Sequence, residues 1–231
     1  MRFNWKDSTT WTPLLAKTKG RRQTSATILK TFLEIYHDVT VFHAARPKNV
    51  QTYYRNGLRL ADHVKLTSVA RSIFLSEEFP ELSEVTFELA VNGLSSIDNS
   101  RAYVSLDDRE YIEHCGHYLI YGSEHICGIA AQLSRNGSRD YRQVLKRFGT
   151  PTIFRLSLPT SQVSESDMIE LCELLHDCIR DVRAGKKPPV EDFTFLIQAP
   201  LSPKFILGHE HPTIIKDPLL PMQPLYHYGS A

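Results

Sequence analysis

Residues 39–60 read VTVFHAARPKNVQTYYRNGLRL. Val39, Thr40, Val41 and Phe42 are β-branched or aromatic, the composition of a strand. Pro47 fits the first turn of a helix, where its missing N–H is not needed, and Gly57 fits the stop of that helix. The segment therefore predicts strand, tight corner, helix and exit, with His43 and Arg46 at the corner.

Upstream, Ile28, Leu29, Phe32, Leu33, Ile35 and Tyr36 fall at helical spacing. Residues 1–25 are polar, hold Lys17, Lys19, Arg21 and Arg22 close together, and leave arm or loop undecided. Downstream, 62–100 reads as helix in pieces, 102–106 (AYVSL) as a strand, and 108–133 as mixed signals. TIFRLSL at 152–158 alternates apolar and polar residues, the pattern of a half-buried strand. Ser164 followed by Asp167 marks a helix start. Met168, Leu171, Leu175, Cys178, Ile179 and Val182 continue it at helical spacing, and Gly185 ends it. FTFLI at 193–197 is a further strand, and the Pro-rich tail PLLPMQPLYHYGSA wraps the surface. Irregular interleaving without a repeat predicts a single α+β domain, not a βαβ array.

The 231 residues are 42% hydrophobic and 23% charged, the mix of a globular enzyme or binding domain. A chain of this size buries roughly three-quarters of its unfolded surface and needs no disulfide or metal staple. A net charge of +1 argues against coating nucleic acid by bulk charge, though not against a local basic patch. Cys115, Cys127, Cys172 and Cys178 form no Cys-x-x-Cys pair. Residues 1–10, MRFNWKDSTT, lack the apolar core of a signal peptide, and no apolar run is long enough to span a bilayer. These features predict reduced thiols in a cytoplasm, where the Asn136-Gly137-Ser138 sequon is a chance match.

Three stretches carry chemistry. In FHAARP, His43 and Arg46 follow a strand end and precede a helix whose free N–H groups favour an anion. There the imidazole suits a ribose hydroxyl and the guanidinium a pyrophosphate. Taken alone, a strand-capping His and a surface salt bridge are the plainer reading. Tyr53 and Tyr54 lie one helix further on, where ordinary helix punctuation before Gly57, with the tyrosines as core or rim, is the stronger reading. Residues 107–128, DDREYIEHCGHYLIYGSEHICG, place Ser123-Glu124 after Tyr118 and Tyr121. A carboxylate beside aromatic faces is what cleavage of an N-glycosidic bond requires, because the ribose gains oxocarbenium charge. A solvated charge at a helix N-terminus is the plainer alternative for Glu124.

In their order, VFHAARP, YYRNGLRL, AYVSLDDR and HYLIYGSEHI resemble the ADP-ribosyltransferase superfamily. Its members often begin with a strand ending in a His-Gly-Thr-like motif, followed by a helix ending in Gly-Leu, an aromatic segment and a Glu. APLSPKFILG resembles the strand exit that closes many of these domains. The resemblance implies a split β-sheet core over 39–208, with an N-terminal arm and helix at 1–38 and a tail at 209–231. It implies NAD as substrate, with Glu124 as catalytic acid and His43 on the NAD ribose. Arg46 would lie near the phosphates, and Tyr54, Tyr103, Tyr118, Tyr121 and Ser123 would line the site. Tyr121 is the favoured nicotinamide stack. Ala44-Ala45 departs from the usual Gly and hydroxyl residue, and no Glu-x-Glu or Gln-x-Glu pair precedes a strand. The second departure fits members that modify nucleic acid better than those that modify protein arginines. Intracellular toxins of phage-defence and toxin–antitoxin modules are of that kind, and imply a neutralising antitoxin as partner.

Two other readings compete. A non-catalytic nucleic-acid or partner-binding module would use the 17–22 stretch or Arg139, Arg142, Lys146 and Arg147 against phosphates. In the enzyme, the same four would form an acceptor channel. A zinc hydrolase would draw on His114, Cys115, His117, His209 and His211, which match no regular ligand spacing. The expectation is that no metal is held.

Overall fold

A computed structural model of the chain describes residues 1–19, 24–94, 101–135, 139–220, 222 and 225–229. Arg21, Arg22 and the 136–138 sequon lie outside these. The chain opens with β1 (Arg2–Phe3), α1 (Ser8–Lys17), α2 (Ser25–Ile35), β2 (Asp38–Ala45) and α3 (Gln51–Asn56). Next come α4 (His63–Phe74), α5 (Glu84–Asn92), β3 (Ala102–Ser105), α6 (Arg109–Glu113), α7 (His117–Ile120), α8 (Glu124–Arg135) and α9 (Arg142–Leu145). It closes with β4 (Thr152–Pro159), α10 (Glu165–Arg183), β5 (Thr194–Ile197), β6 (Ile206–Glu210) and the hairpin β7 (Ile214–Lys216) and β8 (Leu225–His227).

The result is an α+β domain around a mostly antiparallel sheet of order β5-β3-β2-β4-β6, with β1 parallel to the start of β2. β2 and β4 are paired over their whole length, from Asp38↔Pro159 to Ala45↔Thr152. Alternation along β2 sends Val39 and Val41 to one core and Phe42 and Ala44 to another. The first core joins one sheet face to α1, α2 and α10 through Trp11, Phe32, Leu171 and Leu175. The second joins the opposite face to α4, α5 and α6–α9 through Phe74, Phe87, Ile120 and Ile129. Cover on both sides explains why TIFRLSL is not half-buried. Within it only Arg155 is exposed, and Thr152 and Ser157 are buried with the apolar residues.

The strand–corner–helix reading of 39–60 places its elements well, with one shift. Pro47 lies in the connecting loop, and α3 starts at Gln51. Gly57 stops the helix with φ 74° and ψ −170°, a conformation that essentially only glycine adopts. A Cβ there would stand 1.9 Å from the Leu201 carbonyl oxygen, because Leu58 and Leu201 pair directly after the stop. The segment 108–133 resolves into three helices, α6, α7 and α8. The N-terminal segment is part of the body: Phe3, Trp5 and Trp11 are fully buried in the first core. No helix among the described residues is long and apolar enough to cross a membrane.

Candidate functional site

β2 and β3 pair at a single position, Phe42↔Ser105, and separate beyond it. His43 follows Val39 and Val41 onto the first-core face, and its Nδ1 donates to the Tyr103 carbonyl across the gap at 3.0 Å. Burial pushes the His43 imidazole below its ordinary value, against the opposing pull of that carbonyl. Val104 belongs to the first core, so the Tyr103 side chain turns to the other face, where it is 55% exposed. His43 therefore lies on the opposite face of the sheet from the Tyr103 ring, on whose side Tyr118 and Cys115 pack against the second core next to Glu124.

Those groups form a rim of aromatic rings and carboxylates. Tyr118 is half-buried, with its ring edge-on to Tyr111 at 6.4 Å and against His117 at 4.1 Å. Its phenol is pushed up to about 12, first by burial and then by the neighbouring Glu124 carboxylate, and so stays a proton donor at neutral pH. Glu124 is exposed at the first position of α8, where the helix dipole favours negative charge. Ser123 precedes it, half-buried, and its carbonyl accepts from Cys127 N at 2.9 Å. The Cys115 thiol is pushed up by burial and then by the charges of Glu110, Asp192 and Glu124. A thiol held protonated is a poor nucleophile. His117 is held below its ordinary value by burial, although Glu124 and Asp217 pull it the other way.

Asp192 is the rim group that sequence reading missed. It is exposed, just before β5, and its charge reaches Cys115 alongside that of Glu124. The signal in the sequence is the Glu191-Asp192 pair directly ahead of FTFLI. Burial, and then Asp192, hold the Glu191 carboxyl above the ordinary carboxylate range.

Other predicted site residues lie elsewhere or are already engaged. Arg46 donates to the carbonyls of Phe148 (2.7 Å), Leu119 (2.8 Å) and Lys146 (2.5 Å), and to the Tyr226 hydroxyl (3.2 Å). Its guanidinium rivets three chain segments and is not turned toward an anion. Tyr121, favoured above for stacking, is buried in the second core and donates its hydroxyl to the buried Asp217 carboxylate at 2.6 Å. Tyr54 lies on α3, hydrogen-bonded to His209 Nδ1 at 2.7 Å, on the first-core side of the sheet. The four predicted nucleic-acid contacts also have partners. Arg142 pairs with Asp140 (2.8 Å), Lys146 with Asp217 (3.5 Å) and Arg147 with Glu78 (2.6 Å), while Arg139 lies over the Phe79 ring at 4.8 Å.

The rim has stacking faces, a neutral phenol and exposed carboxylates, a set suited to stabilising positive charge on a sugar beside a planar leaving group. Among the described residues no three His, Cys, Asp or Glu side chains converge as metal ligands. Neither a family model, nor a curated protein, nor a solved structure matches the chain.

Proposed function

We propose that the protein transfers ADP-ribose from NAD to a nucleic acid, as an intracellular toxin or phage-defence effector. The observation that carries this is the exposed Glu124 carboxylate beside the Tyr118 phenol at the start of α8. Cleavage of the bond between ribose C1′ and the nicotinamide nitrogen leaves the electron pair on nicotinamide and positive charge on the ribose. Glu124 accepts a hydrogen bond from a ribose hydroxyl and offsets that charge, while Tyr118 and Tyr103 cover the leaving ring. An acceptor nitrogen or oxygen then bonds C1′ and releases its proton to solvent. Arg46 holds the loop that follows β2.

The test is nicotinamide release from NAD by purified protein, with and without mixed nucleic acid, beside Glu124→Gln and Asp192→Asn. Release should rise with nucleic acid, and Glu124→Gln should lose roughly a hundredfold or more in turnover while NAD still raises the melting temperature. Absence of both release and thermal stabilisation in the natural protein overturns the proposal. Loss in Asp192→Asn with Glu124→Gln fully active moves the catalytic carboxylate to the head of β5.

A further inference from the structure

A second group of rings lies on the first-core side of the sheet, at the end where α3 packs. Tyr53 stacks on Phe154 at 4.0 Å with 19° between planes, fixing α3 to the sheet. Phe154 is paired across β4 and β6 with His209, whose ring lies 6.0 Å away. Tyr54 stands edge-on to His209 at 5.6 Å, and His211 follows at 5.0 Å. The imidazoles are held by their edges: His209 Nδ1 bonds the Tyr54 hydroxyl, and His211 Nδ1 donates to the Pro151 carbonyl at 2.9 Å. His209 and His211 remain exposed and Tyr54 half-exposed. Rings oriented in advance and left exposed lose little freedom when a planar group stacks on them.

The charge around this shelf has one sign. Residues 39–61 and 198–211, which build it, contain a single carboxylate, Glu210. Lys48 precedes α3, Arg55 is on it, Arg59 follows it, and Lys204 lies on the Pro203–Phe205 turn that packs against it. All four are exposed, and among the described residues none is in an ion pair. Glu210 alternates to the opposite face of β6, since it is paired with Ile153 of the second core.

We infer that this shelf binds a single strand of nucleic acid, with bases on Tyr54, His209 and His211 and phosphates against Lys48, Arg55, Arg59 and Lys204. Exposed rings require unstacked bases, which a duplex does not present, and a cationic frame whose single carboxylate lies on the opposite face suits a phosphodiester chain. An acidic peptide would use the cations and leave the rings idle. The binding claim stands without the transferase chemistry, and rests on it only in making the bound strand the acceptor.

Fluorescence anisotropy with a labelled 12-nucleotide mixed-sequence single strand, in the absence of NAD, tests it apart from catalysis. The single strand should bind at least about tenfold more tightly than the matching duplex. Tyr54→Ala with His209→Ala should weaken it about fivefold to a hundredfold, in line with the loss of one stacked base or more. Lys204→Gln and Arg55→Gln, at exposed positions that leave the core intact, should each reduce the log–log salt slope by about 0.7. Equal affinity for duplex, or undiminished binding by the variants, overturns the inference. So does competitive displacement of the strand by NAD, which would make the shelf a dinucleotide site. Strand binding by a protein that releases no nicotinamide sustains the inference while removing the transferase proposal.

Discussion

Arg46 shows how a residue's type and its employment can diverge. A guanidinium ahead of a helix reads naturally as an anion ligand, yet three carbonyls from segments more than 70 residues downstream occupy its donors. Those partners are invisible in a linear sequence because only the fold gathers them. Arg46→Ala should therefore destabilise the protein, on the order of 2 kcal/mol in urea unfolding, by leaving partly buried carbonyls unpaired. Arg46→Lys should recover little, since an ammonium cannot reproduce the fork. If Arg46→Lys unfolds like the natural protein but loses NAD-induced thermal stabilisation, the phosphate role is restored. Glu124 and Tyr118 were legible because they are close in sequence and α7 and α8 keep them close in space. Asp192 was not, because its approach to Cys115 depends on β5 pairing with β3.

Among the elements, α10 was the most legible: Ser164 accepts from Asp167 N at its start, and Met168, Leu171, Leu175, Cys178, Ile179 and Val182 all face the first core. Strands β1, β7 and β8, of two or three residues, have no period to read, and α6 and α7 are too short to separate from strand signals. The contact of α4 with α8 was equally hidden, and it carries a pH dependence. His63 and His125 stack at 4.4 Å with 7° between planes, and Thr67 bonds His125 Nε2 at 2.8 Å. His125 Nδ1 is buried without a partner among the described residues. Burial, then the His63 charge, hold His125 below its ordinary value of 6.5. The folded protein thus resists a proton that the unfolded chain accepts, so this contact stabilises fully above about pH 6.5 and loses ground as pH falls below it. The urea midpoint should drop from pH 7.5 to 5.5, and His125→Gln should flatten that drop. An unchanged slope in His125→Gln would assign the acid sensitivity to His43 and His117, which burial also depresses.

For the molecule as one body, the decisive feature is a sheet whose central strands β2 and β4 serve both cores at once. Damage to either core is then transmitted through shared strands, and unfolding should be a single transition. The N-terminal segment offers the sharpest test, because a polar stretch of 25 residues gives little hint in sequence that it is structural. Trp5 and Trp11 are fully buried, with ring centroids 5.1 Å apart. Trp11 Nε1 donates to the Trp5 carbonyl at 3.0 Å, and Trp5 Nε1 to the Pro189 carbonyl at 2.9 Å. The second bond ties the start of the chain to the approach to β5, which carries Asp192. Trp5→Ala opens a large cavity, while the Pro189 carbonyl still accepts from Arg109 Nη2 at 2.9 Å, so it should cost about 3–5 kcal/mol through lost packing. Circular dichroism and the fluorescence of Trp11 should still report one coincident transition at a lower urea midpoint. An early, separate fluorescence change, or a loss below about 1 kcal/mol, would instead make residues 1–38 a detachable arm around an independent core.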